Sequence, residues 1–199
     1  MKHLRLAVPT IDAVYIPEVD MQRKLQAKTN KYGNKFTGVD IKVAVLVDMI
    51  KKYFGKDILY VDSACYVRSL PHYEQHVDML FLSENHRNVN NGVNIGVIGL
   101  KCNERTLRFW ERVLSYVRDD GLWDQGIVNI MLGTGSDTIF VKKYGDLYKH
   151  DDHDHEFGVI SWGVFQSHVV SKNTPEGCVV KFTGTMREKQ TRLSTLLKA

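Results

Sequence analysis

Acids and amides stand where apolar runs begin or give out. Asp62 closes the run Ile58-Leu59-Tyr60-Val61, Asn94 opens Val93 to Leu100 just ahead of Gly96, and Asp124-Gln125 follows the turn at Asp120-Gly121. A carboxylate can orient or deprotonate a hydroxyl, an amide can hydrogen-bond one, and a glycine lets backbone approach a ligand closely. Each also has a plainer use: Asp62 as the end of a strand, Asp124 as a helix N-cap, Gly96 as a bulge. The segment His150-Asp151-Asp152-His153-Asp154-His155-Glu156 is rich in metal-ligand types. Its histidines fit no helical i,i+4 pair backed by a base, so it reads mainly as a solvated loop. Adventitious transition-metal binding or an acceptor-side rim are its alternatives.

Strands alternating with helices must hold these positions. Leu4 to Pro9 reads as a first strand, with Thr10, Asp12 and Tyr15 just past its end, and a helix is expected near Val19 to Thr29. Helical spacing of Ile41, Val45, Leu46, Met49, Ile50 and Tyr53 predicts a helix capped by Asp40 and stopped at Gly55. Asp57 to Asp62 follows as a strand buried on both faces. Further strands are expected at Met79 to Leu82, Val93 to Leu100, Thr138 to Val141, Val159 to Trp162 and Val179 to Phe182. Asn103 caps a helix whose apolar face is Leu107, Trp110, Leu114 and Val117, and two more helices span about 124–132 and about 185–197. This alternation predicts an α/β sheet, with ligands outside the carboxyl ends of its strands.

Several function classes drop out. No GxGxxG follows the first strand and no GxxxxGK[ST] occurs, which argues against a dinucleotide-binding Rossmann enzyme and a P-loop NTPase and leaves sugar-nucleotide chemistry. At 199 residues the chain suits one domain, with 43% hydrophobic and 25% charged residues, ordinary values for a globular protein. The 27 basic residues against 23 acids give +4, spread along the chain, so nucleic acid is not the expected partner. Cys65, Cys102 and Cys178 are far apart and form no CxxC, which favours a reducing compartment, a cytoplasmic location, and neither disulfides nor structural zinc. Pro9, Thr10 and Asp12 break the N-terminal apolar run, and no membrane span is expected.

In order along the chain, Lys42, the segment Ile58-Leu59-Tyr60-Val61-Asp62-Ser63-Ala64, Asn94-Ile95-Gly96-Val97 with Lys101, and Asp124-Gln125 with Asn129 resemble the landmarks of GT-A fold nucleotide-sugar glycosyltransferases. The likeness is greatest to the group around glycosyltransferase families 8 and 77. It covers about residues 40 to 132, with a weaker tail through His168, Gly177 and Lys181. The resemblance implies a single GT-A (Rossmann-like) domain over 1–184, with a mixed, mostly parallel central sheet flanked by helices. Residues 185–199 would then be a C-terminal helix or the start of a linker to a further domain of a larger polypeptide. It also implies transfer of a hexose or pentose from a nucleotide diphosphate, expected to be a UDP-sugar, to a hydroxyl acceptor on a glycan or glycoprotein.

The same resemblance implies roles. Asp62 would open an Asp-x-Asp motif holding Mn²⁺ or Mg²⁺ against the donor diphosphate, with His168 completing the cation site. Thr10, Asp12 and Tyr15 would meet nucleobase and ribose; Lys42, Ser63, Ala64 and Lys181 would line the donor. Asn94 and Gly96 would meet sugar hydroxyls, and Asp124 and Gln125 would act catalytically at the transferred sugar and the acceptor. The sequence departs from the pattern at Ala64, where the second acid should stand, and Asp78 or Glu84 is a candidate to replace it or to serve the acceptor. Ala64 also motivates the alternative of a sugar-nucleotide binding module without catalysis. A sugar-1-phosphate nucleotidyltransferase is disfavoured, because Pro9 to Tyr15 carries no glycine, Arg or Lys.

Overall fold

The computed structural model describes residues 38–62, 64–69, 71–72, 74–84, 91–148 and 160–196. The expected first strand with Thr10, Asp12 and Tyr15, the helix near Val19 to Thr29, Ser63 and the His150 to Glu156 cluster lie outside these. In chain order the elements are α1 (Gly38–Lys52), β1 (Asp57–Val61), β2 (Cys65–Val67), β3 (Met79–Ser83), β4 (Val93–Lys101), α2 (Glu104–Asp120), α3 (Asp124–Met131), α4 (Ile139–Tyr148), β5 (Trp162–Val164), β6 (Val170–Lys172), β7 (Val179–Lys181) and α5 (Met186–Leu196).

The central sheet has the order β1-β4-β3-β5. Its strands alternate between two cores, as the period of 2 requires. Met79, Phe81, Ile98 and Ile58 turn to one face, where α1, α2 and α3 cover them with Leu46, Ile50, Trp110, Val113 and Ile127. Leu80, Leu82, Val97, Leu59 and Val61 turn to the other, where the three-stranded sheet β2-β7-β6 meets them with Val170 and Val179, and Phe165, just past β5, joins them. The result is α/β with a mixed central sheet, as the sequence predicts. Its parallel part is smaller than expected: among the described residues β3–β5 and β6–β7 are parallel, whereas β1–β4, β3–β4 and β2–β7 are antiparallel.

Three expectations need correction. Residues 138–141 begin a helix, not a strand: Thr138 Oγ1 accepts from the Val141 amide (3.2 Å) and Phe140 packs on Tyr144, so capping and i,i+4 contact outweigh β propensity. β1 is half-buried, because among the described residues it pairs with β4 alone. Asp40 lies inside α1, which starts at Gly38, while Gly55 ends the turn after it with φ +81°. The Asn103 cap stands as predicted, in a reciprocal box with Thr106, and the core face of α2 centres on Phe109, Trp110, Val113 and Val117. Among the described residues no helix is long and apolar enough to cross a membrane.

Candidate active site

Asp62 sits one residue past β1, its amide held by the Gly96 carbonyl at 2.8 Å. Both of its carboxylate oxygens are engaged. Oδ1 accepts from the Tyr60 hydroxyl at 2.7 Å and stands 3.6 Å from Lys42 Nζ; Oδ2 accepts from Lys181 Nζ at 2.6 Å. Lys42 projects from α1, over the Tyr60 ring, and its ammonium also lies 3.9 Å from Asp124 Oδ2. One lysine thus links the two carboxylates that the sequence separates by a helix and three strands.

Two local devices shape this floor. Between Phe81 and Leu82 the register of β3 on β4 jumps, from Phe81↔Ile98 to Leu82↔Asn94, which frees Ile95 to Val97 from β3. Asn94 Oδ1 then accepts from the Gly96 amide at 2.8 Å. A Cβ on Gly96 would sit 2.5 Å from both Cε and Nζ of Lys181, so glycine is what lets that side chain cross to Asp62.

The second device anchors α3. Asn129 imitates a strand partner: its Oδ1 accepts from the Val93 amide at 2.7 Å and its Nδ2 donates to the Val93 carbonyl at 3.1 Å. Thr134 Oγ1 adds a bond to the same Oδ1 at 2.6 Å. This fixes the first turn of α3 beside the end of β1. Asp124 is buried there as the first helical residue, not as the N-cap, which is Trp123. A carboxylate at a helix N-terminus is favoured by the helix dipole, and Oδ1 accepts from the Gln125 amide at 2.7 Å.

Glu84 closes the arrangement. Its Oε1 accepts from Asn94 Nδ2 (2.7 Å) and Gln125 Nε2 (3.1 Å), and its Oε2 from Lys172 Nζ (2.5 Å). Lys172 and Lys181 are register partners at the ends of parallel β6 and β7, so adjacent strand ends each deliver an ammonium to a carboxylate. Of the two candidates for an extra acid, Glu84 is therefore in the site. Asp78 lies at the other end of β3, bonded to Asn103, Arg105 and Ser161. Lys172 and Tyr60 are the participants the sequence reading missed. The signal for Lys172 was present: Val170-Ser171-Lys172 and Val179-Val180-Lys181 both end on lysine.

Electrostatics keep the floor charged. Burial alone would push Asp62 up, but Lys42, Lys181 and the Tyr60 hydroxyl together hold it below the ordinary carboxylate value. Glu84 behaves alike, with burial overcome by bonds from Lys172, Asn94 and Gln125. Burial lowers Lys42, against the pull of Asp62 and Asp124. Burial and the neighbouring Asp62 raise Tyr60, leaving it a hydrogen-bond donor, and burial raises Cys65 to about 12, an unreactive thiol.

Lys42, Asp62, Asn94, Gly96, Asp124, Gln125 and Lys181 are thus brought together. Ala64 lies beside them, its carbonyl accepting from the Phe182 amide at 2.9 Å. His168 is elsewhere: it is exposed in the turn before β6, and its carbonyl accepts from the Cys178 amide, at the opposite end of β7 from Lys181. Lys101 ends β4 at the far end of the sheet, where its amide donates to the Asp78 carbonyl. The donor set does not suit the expected Mn²⁺ or Mg²⁺. Among the described residues no three His, Cys, Asp or Glu side chains gather as ligands, and the Asp62 carboxylate is already shared by two ammonium groups and a hydroxyl.

A family model described as nucleotide-diphospho-sugar transferase matches residues 54–191. That span holds every residue of the floor except Lys42. No curated relative and no solved structure gives a significant match.

Proposed function

The chain belongs to the nucleotide-diphospho-sugar transferase family, and from that premise we propose that it transfers a sugar from a nucleoside-diphosphate donor, a UDP-sugar, to a hydroxyl of a glycan or glycoprotein at the floor between Asp62 and Asp124. The observation that carries this reading is the link through Lys42: 3.6 Å to Asp62 on one side and 3.9 Å to Asp124 on the other. An ammonium group between a carboxylate at a strand end and one at a helix N-terminus gives one subsite suited to phosphate and one suited to a reacting sugar. Nucleobase and ribose contacts rest with Thr10, Asp12 and Tyr15 on resemblance alone, and Ser63 and Ala64 line the donor on the same basis.

In the transfer step the bond from the anomeric carbon to the diphosphate oxygen breaks, and its electron pair stays on that oxygen. A new bond forms from the anomeric carbon to the acceptor oxygen, whose proton leaves to the Asp124 carboxylate. Gln125 and Asn94 hold the sugar hydroxyls, with Glu84 fixing both amides at 3.1 and 2.7 Å. Alignment of acceptor and donor, together with stabilisation of the leaving charge, supplies the catalysis.

Calorimetry with UDP, GDP, ADP and CDP and their sugar conjugates tests the reading. One nucleoside diphosphate should bind the wild type and bind Asp62→Asn more weakly, and its sugar conjugate should be consumed when acceptor is supplied. Binding of none of them would end the proposal; binding without any transfer would favour the non-catalytic module instead.

A further inference from the structure

We propose that Lys42 and Lys181, and not a divalent cation, neutralise the diphosphate in this site, so that donor binding and transfer are metal-independent. The inference rests on the donor reading above and narrows it to one kind of charge compensation.

On Asp62 a cation would have to compete with protein donors already placed on both oxygens. Metal–oxygen bonds of about 2.0 to 2.6 Å would have to form on a carboxylate that already takes a proton donor on each oxygen. Lys181 Nζ is 2.6 Å from Oδ2, the Tyr60 hydroxyl is 2.7 Å from Oδ1, and Lys42 Nζ is 3.6 Å from Oδ1. The adjacent position that could add a second carboxylate is Ala64. Glu84, the other acid on the floor, is committed to Lys172, Asn94 and Gln125.

The lysines are built in. Lys181 is only 8% exposed, and its path to Asp62 exists because Gly96 has no side chain. Bringing an ammonium into such a site costs solvation, which an anionic partner must offset. Asp62 and Asp124 match Lys42 and Lys181 charge for charge, and an arriving diphosphate adds negative charge beside two ammonium groups. Each ammonium has three N–H donors; Lys181 directs one to Asp62, and Lys42 stands beyond hydrogen-bond length from both carboxylates. Asp62 is then a positioning residue, which holds the ammonium groups and does not ligate metal.

When the glycosidic bond breaks, the electron pair left on the diphosphate oxygen adds one negative charge beside these two ammonium groups. Their attraction is strongest at that point, which is how fixed charge lowers a barrier. No proton, electron or co-reactant beyond donor and acceptor is required.

The test is calorimetry of UDP on the full chain in EDTA and in Mn²⁺, for wild type, Lys181→Met and Lys42→Gln, with circular dichroism as the check on folding. UDP should bind with affinities within about threefold in EDTA and Mn²⁺. Each lysine variant should lose about 10- to 100-fold for UDP and much less for UMP, which lacks the second phosphate, as expected for one charge-assisted contact. If Lys181→Met fails to fold, Lys42→Gln, at a half-buried helix position, carries the same comparison. UDP binding that disappears in EDTA and returns with Mn²⁺ would overturn the inference and leave the donor reading intact. Absence of binding by UDP and by every other nucleoside diphosphate, in either condition, would overturn both.

Discussion

Strand β3 carries an acid just outside each end, and the two are held in opposite ways. Asp78 precedes β3, is 2% exposed, and accepts from Asn103 Nδ2, the Ser161 amide and hydroxyl, and Arg105. Those donors cap α2 and tie the approach to β5, so the carboxylate joins two elements and has nothing left to offer. Glu84 follows β3 and, with Asp62 at the end of β1, is held by lysines and side-chain amides around the floor. A depressed carboxyl does not by itself mark chemistry. Burial opposes the ionised form of Asp78, yet Arg105, Asn103 and Ser161 hold it far below the ordinary range, in a site that is purely structural. The distinguishing mark is the partner: at the floor, ammonium groups with N–H donors to spare for a ligand; at Asp78, donors locked into caps.

Substitution should separate the two ends cleanly. Asp124→Asn is expected to slow sugar transfer by roughly 100- to 10,000-fold, the span of a lost general base, while donor affinity changes by less than about threefold. Kinetics and calorimetry on the same preparation measure both, and an equal loss of rate and affinity would return Asp124 to a helix-terminus role. Asp78→Ala should do the reverse. Orphaning the Asn103 and Ser161 donors in a buried position costs about 2 to 4 kcal/mol, or several degrees in Tm for a chain of this length. The turnover of the fraction that remains folded should be unchanged.

Acid should reproduce part of that loss in the wild type. The folded-state pKa of Asp78 is depressed below the ordinary value of 3.8, so its stabilisation is complete above that value and disappears as pH falls through it toward the depressed one. The stability gap between wild type and Asp78→Asn, followed by urea unfolding, should therefore narrow between about pH 5 and about pH 2. A gap that widened on acidification would contradict the sign.

Much of this was legible in the sequence because it lies in residue types with positional meaning. Asp62, Asn94-x-Gly96 and Asp124-Gln125 all meet at the floor, and Asn103 caps α2 as predicted. What escaped had weak local signals. β2 and β6 have three residues each, too few for periodicity to identify, and they join the expected strand β7 in a sheet only through long-range pairing. The β-branched run at 138–141 reads as a strand until the cap at Thr138 is recognised. Asp78 and Glu84 were indistinguishable as acids flanking one strand, since only tertiary contacts show which end faces the floor.

Gly96→Ala probes the floor more gently. The added methyl meets the flexible end of Lys181 at 2.5 Å and Asn94 Oδ1 at 2.9 Å, so the lysine must withdraw from Asp62 and the amide must shift by a few tenths of an ångström. Donor affinity should fall by about three- to tenfold, roughly 1 kcal/mol, with Tm nearly unchanged. Retention of full affinity would mean that the path of Lys181 past Gly96 has no bearing on binding.

The smallest effect expected is at Arg105, and it decides what holds the structural end together. Its guanidinium is the largest single influence drawing Asp78 down, with Nη2 2.7 Å from Oδ1, yet its side chain is 50% exposed. Solvent screens such a pair, and measured exposed ion pairs contribute about 0.2 to 1 kcal/mol. Asn103 and both Ser161 donors remain in Arg105→Ala, at 2.8, 3.1 and 3.0 Å, so the carboxylate stays satisfied. Urea unfolding should show a loss below about 1 kcal/mol that shrinks further in added salt, in contrast to the loss for Asp78→Ala. A loss as large as that of Asp78→Ala would mean that the ion pair, and not the buried capping donors, secures this end of β3.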